Sequence, residues 1–438
     1  MEHFTVNSVH SVEAIFEYLN AESVLYVWLH GYDRCRWGDI DIAVYDVELA
    51  DVRRLVEGFC DTYGFLLLQE ISHESSAVYY VLVSKDTFND YLAVDICTDY
   101  RRNGRILISG ARLVAGRIWH GSYYIPAPET EAAYLFLKRS LKSYWTRDHL
   151  NDFEQKCEND NVKIYNMLRD YLPVNILHRF VNFAATGNLD GVNKLCSTIR
   201  RQILIRTLAA HPIKTVIYHS KELMRIKNRI ARTTGLFIAI IGTDGCGKTT
   251  IIGALSEALS PAFRKQAKYH WKPTILGKGL AENSFVPEPH RLPPRSASLS
   301  FCKIIIYSIQ YLLGYLLIMY PKKIRSTLII FDRYYYDLLV DQRRFRIKLP
   351  KRVLEIFLKV IPKPDIVFCL RTKPVIAFKR KNELGIIELQ RQVSEFERLR
   401  GRIGKRFFVI DNNGSPDESL ESIKRIIFTM LANRIRIG

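Results

Sequence analysis

Short runs rich in β-branched and aromatic residues mark the first part of the chain. Ser23–Leu29, Ile40–Tyr45, Ala77–Val83 and Tyr91–Ile96 each have strand composition. After Pro126 and Pro128 the period changes. Tyr134, Leu135, Leu137, Leu141 and Tyr144 recur at three- and four-residue spacing, which predicts a helical region. Arg225–Thr234 is a basic lead-in that ends at Gly235. From residue 236 onward, apolar strand-like runs alternate with helical stretches, the pattern of a parallel sheet with crossover helices. The expected architecture is α/β, in three parts. Residues 1–125 form an α+β domain, 126–230 a helical region, and 231–438 a domain with a parallel sheet.

Composition agrees with a globular chain and adds an asymmetry. The 438 residues are 48% hydrophobic and 25% charged, with a formal net charge of +19. That length calls for more than one core. Residues 1–125 hold 10 Lys and Arg against 18 Asp and Glu, leaving +27 on the remainder. A basic surface suits anionic small molecules, nucleic acid or anionic lipid. The eight cysteines, at 35, 60, 97, 157, 196, 246, 302 and 369, contain no Cys-x-x-Cys pair. Neither a zinc site nor a disulfide framework is expected, and a reducing cytoplasm fits. The start, Met1 to Val6, has neither the basic nor the apolar segment of a signal peptide. Val286–Arg295 is rich in proline and reads as an exposed loop.

Ile304–Pro321 interrupts this picture with 18 uncharged residues flanked by Lys303 and by Lys322, Lys323 and Arg325. Ser308, Gln310, Gly314 and four tyrosines make it a poor membrane span. Two readings stay open: a buried or partly buried helix, and an interfacial helix lying on a membrane.

The most specific motif joins strand 236–241 to a helix over 248–259. Gly242, Thr243, Asp244, Gly245, Cys246, Gly247, Lys248 and Thr249 follow the phosphate-binding loop pattern, with Thr250 next. Such a loop wraps backbone N–H groups around a triphosphate. Lys248 would reach the β- and γ-phosphates, and Thr249 would ligate Mg²⁺. The β-rich run Thr327–Phe331 ends in Asp332 and Arg333. In an open α/β sheet, ligands sit outside the carboxyl ends of the strands. Asp332 would then face the metal and Arg333 a phosphate, which guanidinium binds bidentately. The strand Asp365–Leu370 leads through Lys373 and Pro374 into a helix with Lys379, Arg380 and Lys381. These cations could neutralise charge on a transferred phosphoryl group.

With these residues in place, 236–435 resembles the thymidylate kinase family of P-loop nucleoside monophosphate kinases. The resemblance rests on Gly242–Thr250, on Asp332-Arg333-Tyr334, on Pro364-Asp365 with Pro374 and Arg380, and on Val409–Glu418 before a last helix. It implies a P-loop kinase fold that uses ATP and Mg²⁺. It also implies that Asp244 contacts the acceptor, that Asp332 and Arg333 position metal water and acceptor phosphate, and that Arg380 takes part in catalysis. The family's Arg-Glu-Pro-Gly-Gly acceptor segment has only His270–Gly277 as a counterpart. The resemblance therefore carries phosphoryl transfer rather than the identity of the acceptor.

A second constellation lies near the N-terminus. Gly31 and Tyr32 precede Gly38, Asp39, Ile40 and Asp41, and Asp95 lies on a separate predicted strand. Carboxylates at i and i+2 of a strand share a face. They repel unless a cation lies between them. With Asp95 they would form a two-metal site for nucleotidyl transfer. These residues resemble the nucleotidyltransferase superfamily that includes aminoglycoside-modifying enzymes, although Tyr32 stands where that family has serine. The combined chain resembles fused proteins of bacterial surface-polysaccharide gene clusters.

The expected activity is ATP- and Mg²⁺-dependent phosphoryl transfer to a nucleoside monophosphate or another small phosphate acceptor, a sugar phosphate included. The alternatives are nucleotidyl transfer by Asp39, Asp41 and Asp95, and a non-catalytic ATP-binding scaffold at a membrane. No nucleic-acid module is recognised, so nucleic acid is not expected as a partner. Peripheral membrane contact through 304–320 would put a cytoplasmic protein at the inner face of the membrane. The oligomeric state is open, a homodimer included.

Overall fold

The computed structural model describes residues 9–32, 38–102, 105–157, 161–169, 171–210, 212–273, 290 and 292–437. Cys35, Thr274–Gly277 and half of the proline-rich stretch, residues 286–289 and 291, lie outside them, as does the start of the chain. The chain divides into two compact units, Phe4–Asn228 and Arg229–Gly438.

In the N-terminal unit, α1 (Val9–Ala21) is followed by β1 (Leu25–Trp28), β2 (Ile40–Tyr45), α2 (Leu49–Thr62), β3 (Phe65–Glu74), β4 (Ala77–Ser84) and β5 (Tyr91–Cys97). Among the described residues these strands form one mixed sheet in the order β1-β2-β5-β4-β3. Only β2 and β5 pair in parallel, and their register sets Asp41 beside Asp95. Two small hairpins follow, β6 (Tyr100–Arg102) with β7 (Arg105–Ile108), and β8 (Ile118–His120) with β9 (Tyr123–Ile125). Between them lies α3 (Gly110–Val114).

The helical stretch comprises α4 (Pro128–Lys142), α5 (Arg147–Cys157), α6 (Asn161–Arg169), α7 (Val174–Ala185), α8 (Leu189–Ala210) and α9 (Pro212–Ala231). The basic lead-in at 225–234 is thus helical through Ala231. α4 is buried on nearly every side, from Thr130 to Lys138 and again at Ser140 and Leu141. Its buried residues are mostly apolar but include the polar Thr130, Glu131, Lys138 and Ser140. Its residues Ala133, Phe136 and Leu137 share one hydrophobic cluster with Val27, Leu29 and Ala43 of the sheet side and with Phe180 and Ile199 of later helices. The helices therefore pack on the preceding sheet within a single core.

The C-terminal unit runs β10 (Leu236–Ile241), α10 (Lys248–Ala258), β11 (Lys265–His270), α11 (Ala297–Gly314), α12 (Tyr320–Ile324), β12 (Thr327–Asp332), α13 (Tyr335–Val340), α14 (Lys351–Leu358), β13 (Ile366–Arg371), α15 (Pro374–Arg380), α16 (Ile386–Arg398), α17 (Arg400–Ile403), β14 (Phe407–Asp411) and α18 (Pro416–Ile437). Its sheet has the order β11-β12-β10-β13-β14, every pairing parallel. The expected α/β class with crossover helices is present. β10 is buried throughout, as a central strand covered on both faces must be. Its neighbours place Asp332 opposite Ile240 at the carboxyl end of the sheet.

α11 continues through the π-helical turn Tyr315–Met319 into α12, giving 28 residues from Ala297 to Ile324. One face, with Ile304, Tyr307, Tyr311 and Met319, joins the core of this unit. The opposite face exposes Leu299, Ile306, Ile309, Leu313, Leu316 and Leu317. Both open readings of this segment thus find a face: one side is buried and the other is an exposed apolar ridge.

Candidate functional site

The phosphate-binding loop occupies the turn between β10 and α10. Gly245 has φ +77°, and a Cβ there would lie 2.3 Å from the Ala377 carbonyl oxygen. Gly247, at φ +89°, caps α10 and has the Asn412 amide 2.6 Å from where a Cβ would stand. Glycine alone fits such positions. The loop is clamped from behind, since Asn412 Nδ2 donates to the Cys246 carbonyl at 2.6 Å. Ser419 in turn orients Asn412 through a 2.8 Å hydrogen bond to Oδ1. α10 begins directly at Lys248, so its free N–H groups and partial positive charge point into the loop.

Lys248 folds over this cradle. Its Nζ donates to the carbonyls of Gly242 at 2.9 Å and Thr243 at 2.7 Å. Thr249 and Thr250, the next two residues, are exposed. Asp332 ends the neighbouring strand. Its Oδ1 is buried without a hydrogen-bond partner, and its Oδ2 lies 3.6 Å from His270 Nδ1. Burial alone would raise its pKa. His270, Lys248 and Arg333 together outweigh burial and hold it below the usual carboxylate range. An ionised, buried carboxylate oxygen with no donor suits coordination to a hard cation. The residues present therefore fit Mg²⁺, which Thr249 and Asp332 would hold.

Arg333 lies just past β12 in the left-handed region, at φ +71°, with its N–H donating to the Ile240 carbonyl at 2.9 Å. That turn aims its side chain back at the loop. There it pairs with Asp244, and Arg344 pairs with the other oxygen of the same carboxylate. Asp337 supports the turn by accepting from the Tyr334 N–H at 2.9 Å, with Arg333 Nη1 3.5 Å from its other oxygen. Burial would raise the Asp244 pKa, but Arg333, Lys248 and Arg344 drive it well below the ordinary range. Arg333 itself is held protonated against its burial by Asp244, Asp337 and Asp332. Arg380, at the end of α15, donates to the Asn412 carbonyl at 3.3 Å and so sits at the loop's outer edge.

One end of the sheet thus collects Gly242, Gly245, Gly247, Lys248, Thr249, Asp244, Asp332, Arg333 and Arg380, all expected from the sequence. Arg344 and Asn412 were not expected. Arg344 is one of three arginines in Gln342–Lys348 with nothing to set it apart. Asn412 lies in a quoted segment, but only the fold brings it to the loop.

The N-terminal carboxylates lie in the other unit. Asp41 and Asp95 are register neighbours, and Asp39 lies two residues before Asp41. Each has a partner. The Tyr79 hydroxyl donates to Asp39 at 3.0 Å, His73 Nε2 is 2.8 Å from Asp95, and Lys138 Nζ is 3.0 Å from Asp41. Tyr32 donates to Glu131 of α4 at 2.7 Å.

Residues 240–423 match the family model named Thymidylate kinase. No curated protein matches the chain. Among solved structures, a thymidylate kinase from Ehrlichia chaffeensis is similar at 15% identity, over 44% of this chain and 98% of that one, with a TM-score of 0.31. The matched residues contain the loop from Gly242, Asp332, Arg333, Arg380 and Asn412, so the C-terminal unit carries a thymidylate kinase-like domain.

Proposed function

We propose that this chain is an ATP- and Mg²⁺-dependent phosphotransferase whose acceptor is a nucleoside monophosphate or another small phosphate, sugar phosphates included. The observation that carries this is the unpartnered, ionised oxygen of Asp332 next to Lys248 at the carboxyl end of a parallel sheet. The loop N–H groups and the α10 terminus would hold the donor's phosphates. Lys248 would exchange its two loop carbonyls for phosphate oxygens. Thr249 and Asp332 would hold Mg²⁺, which when bound would supply positive charge to offset that on the transferred group. Arg380 would meet the donor side, and the Arg333–Asp244–Arg344 group the acceptor side. Asp244 would fix the orientation of the two guanidinium groups, leaving their outer N–H donors for an acceptor phosphate.

Support for the acceptor itself stops at its charge, because two arginines and a lysine face the site. The decisive experiment is ADP release from ATP–Mg²⁺ in the presence of deoxynucleoside monophosphates or sugar phosphates, with Lys248→Ala as control. Acceptor-dependent turnover lost in Lys248→Ala supports the proposal. Equal turnover by both proteins sinks it.

A place at the inner face of a membrane is part of the same proposal. It is supported by the apolar ridge from Leu299 to Leu317 and by the lack of any acidic residue between Ala297 and Arg325. Basic residues at both ends, Arg295 and Lys303 on one side and Lys322 and Arg325 on the other, suit anionic lipid.

A further inference from the structure

In the N-terminal unit a polar row crosses the sheet. His73 of β3 contacts Asp95 of β5, which stands beside Asp41 of β2, and Asp41 faces His30 just beyond β1. Tyr79 of β4 is the register partner of Asp95 and donates to Asp39. Above this row runs α4, which places Lys138 over Asp41. This is the arrangement of carboxylates that would hold two divalent cations for nucleotidyl transfer.

The residues present do not fit such ions. Among the described residues, Asp39, Asp41 and Asp95 do not all three bring an oxygen within 4.8 Å of the others, whereas ligand atoms of His290, Asp341 and Glu388 in the other unit do come that close. A shared divalent ion needs the closer spacing, with oxygens about 2.1–2.5 Å from the metal. The ammonium of Lys138 lies 3.0 Å from Asp41, where it faces the carboxylate directly. It also contacts His30 Nε2. His30 Nε2 also lies 3.0 Å from Asp41 Oδ2, so Lys138, His30 and Asp41 form one contact group. Lys142, one turn further along α4, adds positive charge within electrostatic reach of Asp41 and Asp95.

Lys138 is not free to leave. Its residue is buried, and α4 is buried from Thr130 to Lys138 and at Ser140 and Leu141. Its ammonium lies 5.2 Å from the centre of the Tyr134 ring, on the same helix one turn back. A divalent ion entering beside Asp41 would separate Lys138 from its carboxylate and leave a buried ammonium without an anionic partner. Removing one partner of a buried ion pair is strongly unfavourable.

We infer that Lys138 is the resident cation of this carboxylate row, and that the N-terminal unit holds no divalent metal between Asp41 and Asp95. The row is then an internally neutralised polar site, and metal-dependent nucleotidyl transfer is not its chemistry.

The test is Mn²⁺ binding to the full chain without nucleotide, followed by electron paramagnetic resonance of the free ion. Asp41→Asn should bind Mn²⁺ as the native chain does. Lys138→Met should gain a Mn²⁺ site at least about tenfold tighter than any native binding, and Asp41→Asn in that background should remove it. If Lys138→Met fails to fold, as judged by near-ultraviolet circular dichroism, Lys138→Gln takes its place. Loss of native Mn²⁺ binding in Asp41→Asn alone would overturn the inference. So would a folded Lys138 variant that gains no site.

Discussion

Arg333 reaches back from the end of β12 to Asp244 inside the phosphate-binding loop, and Arg344 takes the other oxygen of that carboxylate. The pair joins the loop to the next strand of the sheet. It also puts an anion among three cations in a site meant for phosphates. Removing the buried anion leaves two half-buried guanidinium groups without their shared carboxylate. Asp244→Asn should therefore lower unfolding free energy by about 3–5 kcal/mol, the usual cost of breaking a buried pair from one side. Urea unfolding measures this, and a loss under 1 kcal/mol would show that the pair is not closed in solution.

The same carboxylate sets an acid limb. The Asp244 pKa is lowered in the folded state. Its contribution is thus complete above the unfolded carboxylate pKa and is lost as pH falls through the lowered folded value. Stability of the C-terminal unit should decline below about pH 4, and Asp244→Asn should flatten that decline. Thermal melts between pH 2 and 6 test this. Parallel pH profiles for the two proteins would assign the acid limb to other carboxylates.

Asp332 offers a cleaner separation of metal from nucleotide. On the proposed function its unpartnered oxygen would be the metal's ligand, whereas Lys248 would address the phosphates. Asp332→Asn should weaken Mn²⁺ binding in the presence of ATP about tenfold or more, while ATP binding without metal stays near native. Lys248→Ala should do the reverse to nucleotide affinity and lower turnover about 100-fold or more. Isothermal titration with and without Mn²⁺ distinguishes them. Equal effects of both changes on both ligands would mean that the two residues act only through loop geometry.

Much of this site was legible in the chain because it is built locally. The loop, its lysine and the residue after it are consecutive, and strand 236–241 frames them. Asp332 and Arg333 could be placed because a β-rich run ends on them, and a parallel sheet puts strand ends together. The Asn412–Cys246 hydrogen bond spans 166 residues and has no local signature. Arg344 is equally opaque, because the fold alone selects it over Arg343 and Arg346. β3 escaped notice because its second half, Gln69–Glu74, is polar, as an edge strand's outer part can be. The N-terminal carboxylates show the opposite error of emphasis. Their spacing on strands was readable, but Lys138 lies 97 residues from Asp41. Spacing along a strand says nothing of the counter-charge that a later helix brings.

The core shared by sheet and helices of the N-terminal unit has a direct consequence for stability. Leu137 is fully buried in the cluster that includes Val27, Ala43 and Phe180. Leu137→Ala removes apolar contact with both layers at once and should cost about 2–5 kcal/mol. Because the layers share that core, circular dichroism at helical wavelengths and a strand-side probe at Trp28 should shift together. Separate transitions would divide the helices from the sheet.

The proposed membrane location rests on the exposed ridge of α11 and the turn that follows it. Leu299, Ile306, Ile309, Leu313 and Leu317 extend along one side of the helix for about 27 Å, at 1.5 Å per residue. An apolar strip of that length, with no acidic residue beside it, should sink into the headgroup boundary of an anionic bilayer. The native chain should co-sediment with vesicles containing about 30% phosphatidylserine and pellet less as salt screens the basic flanks. Leu313→Asp with Leu317→Asp should abolish pelleting and leave nucleotide binding intact, because both side chains point away from the core. If the native chain stays in the supernatant and the double variant instead converts a dimer to a monomer in sedimentation, the ridge is a contact between copies and the membrane location is wrong.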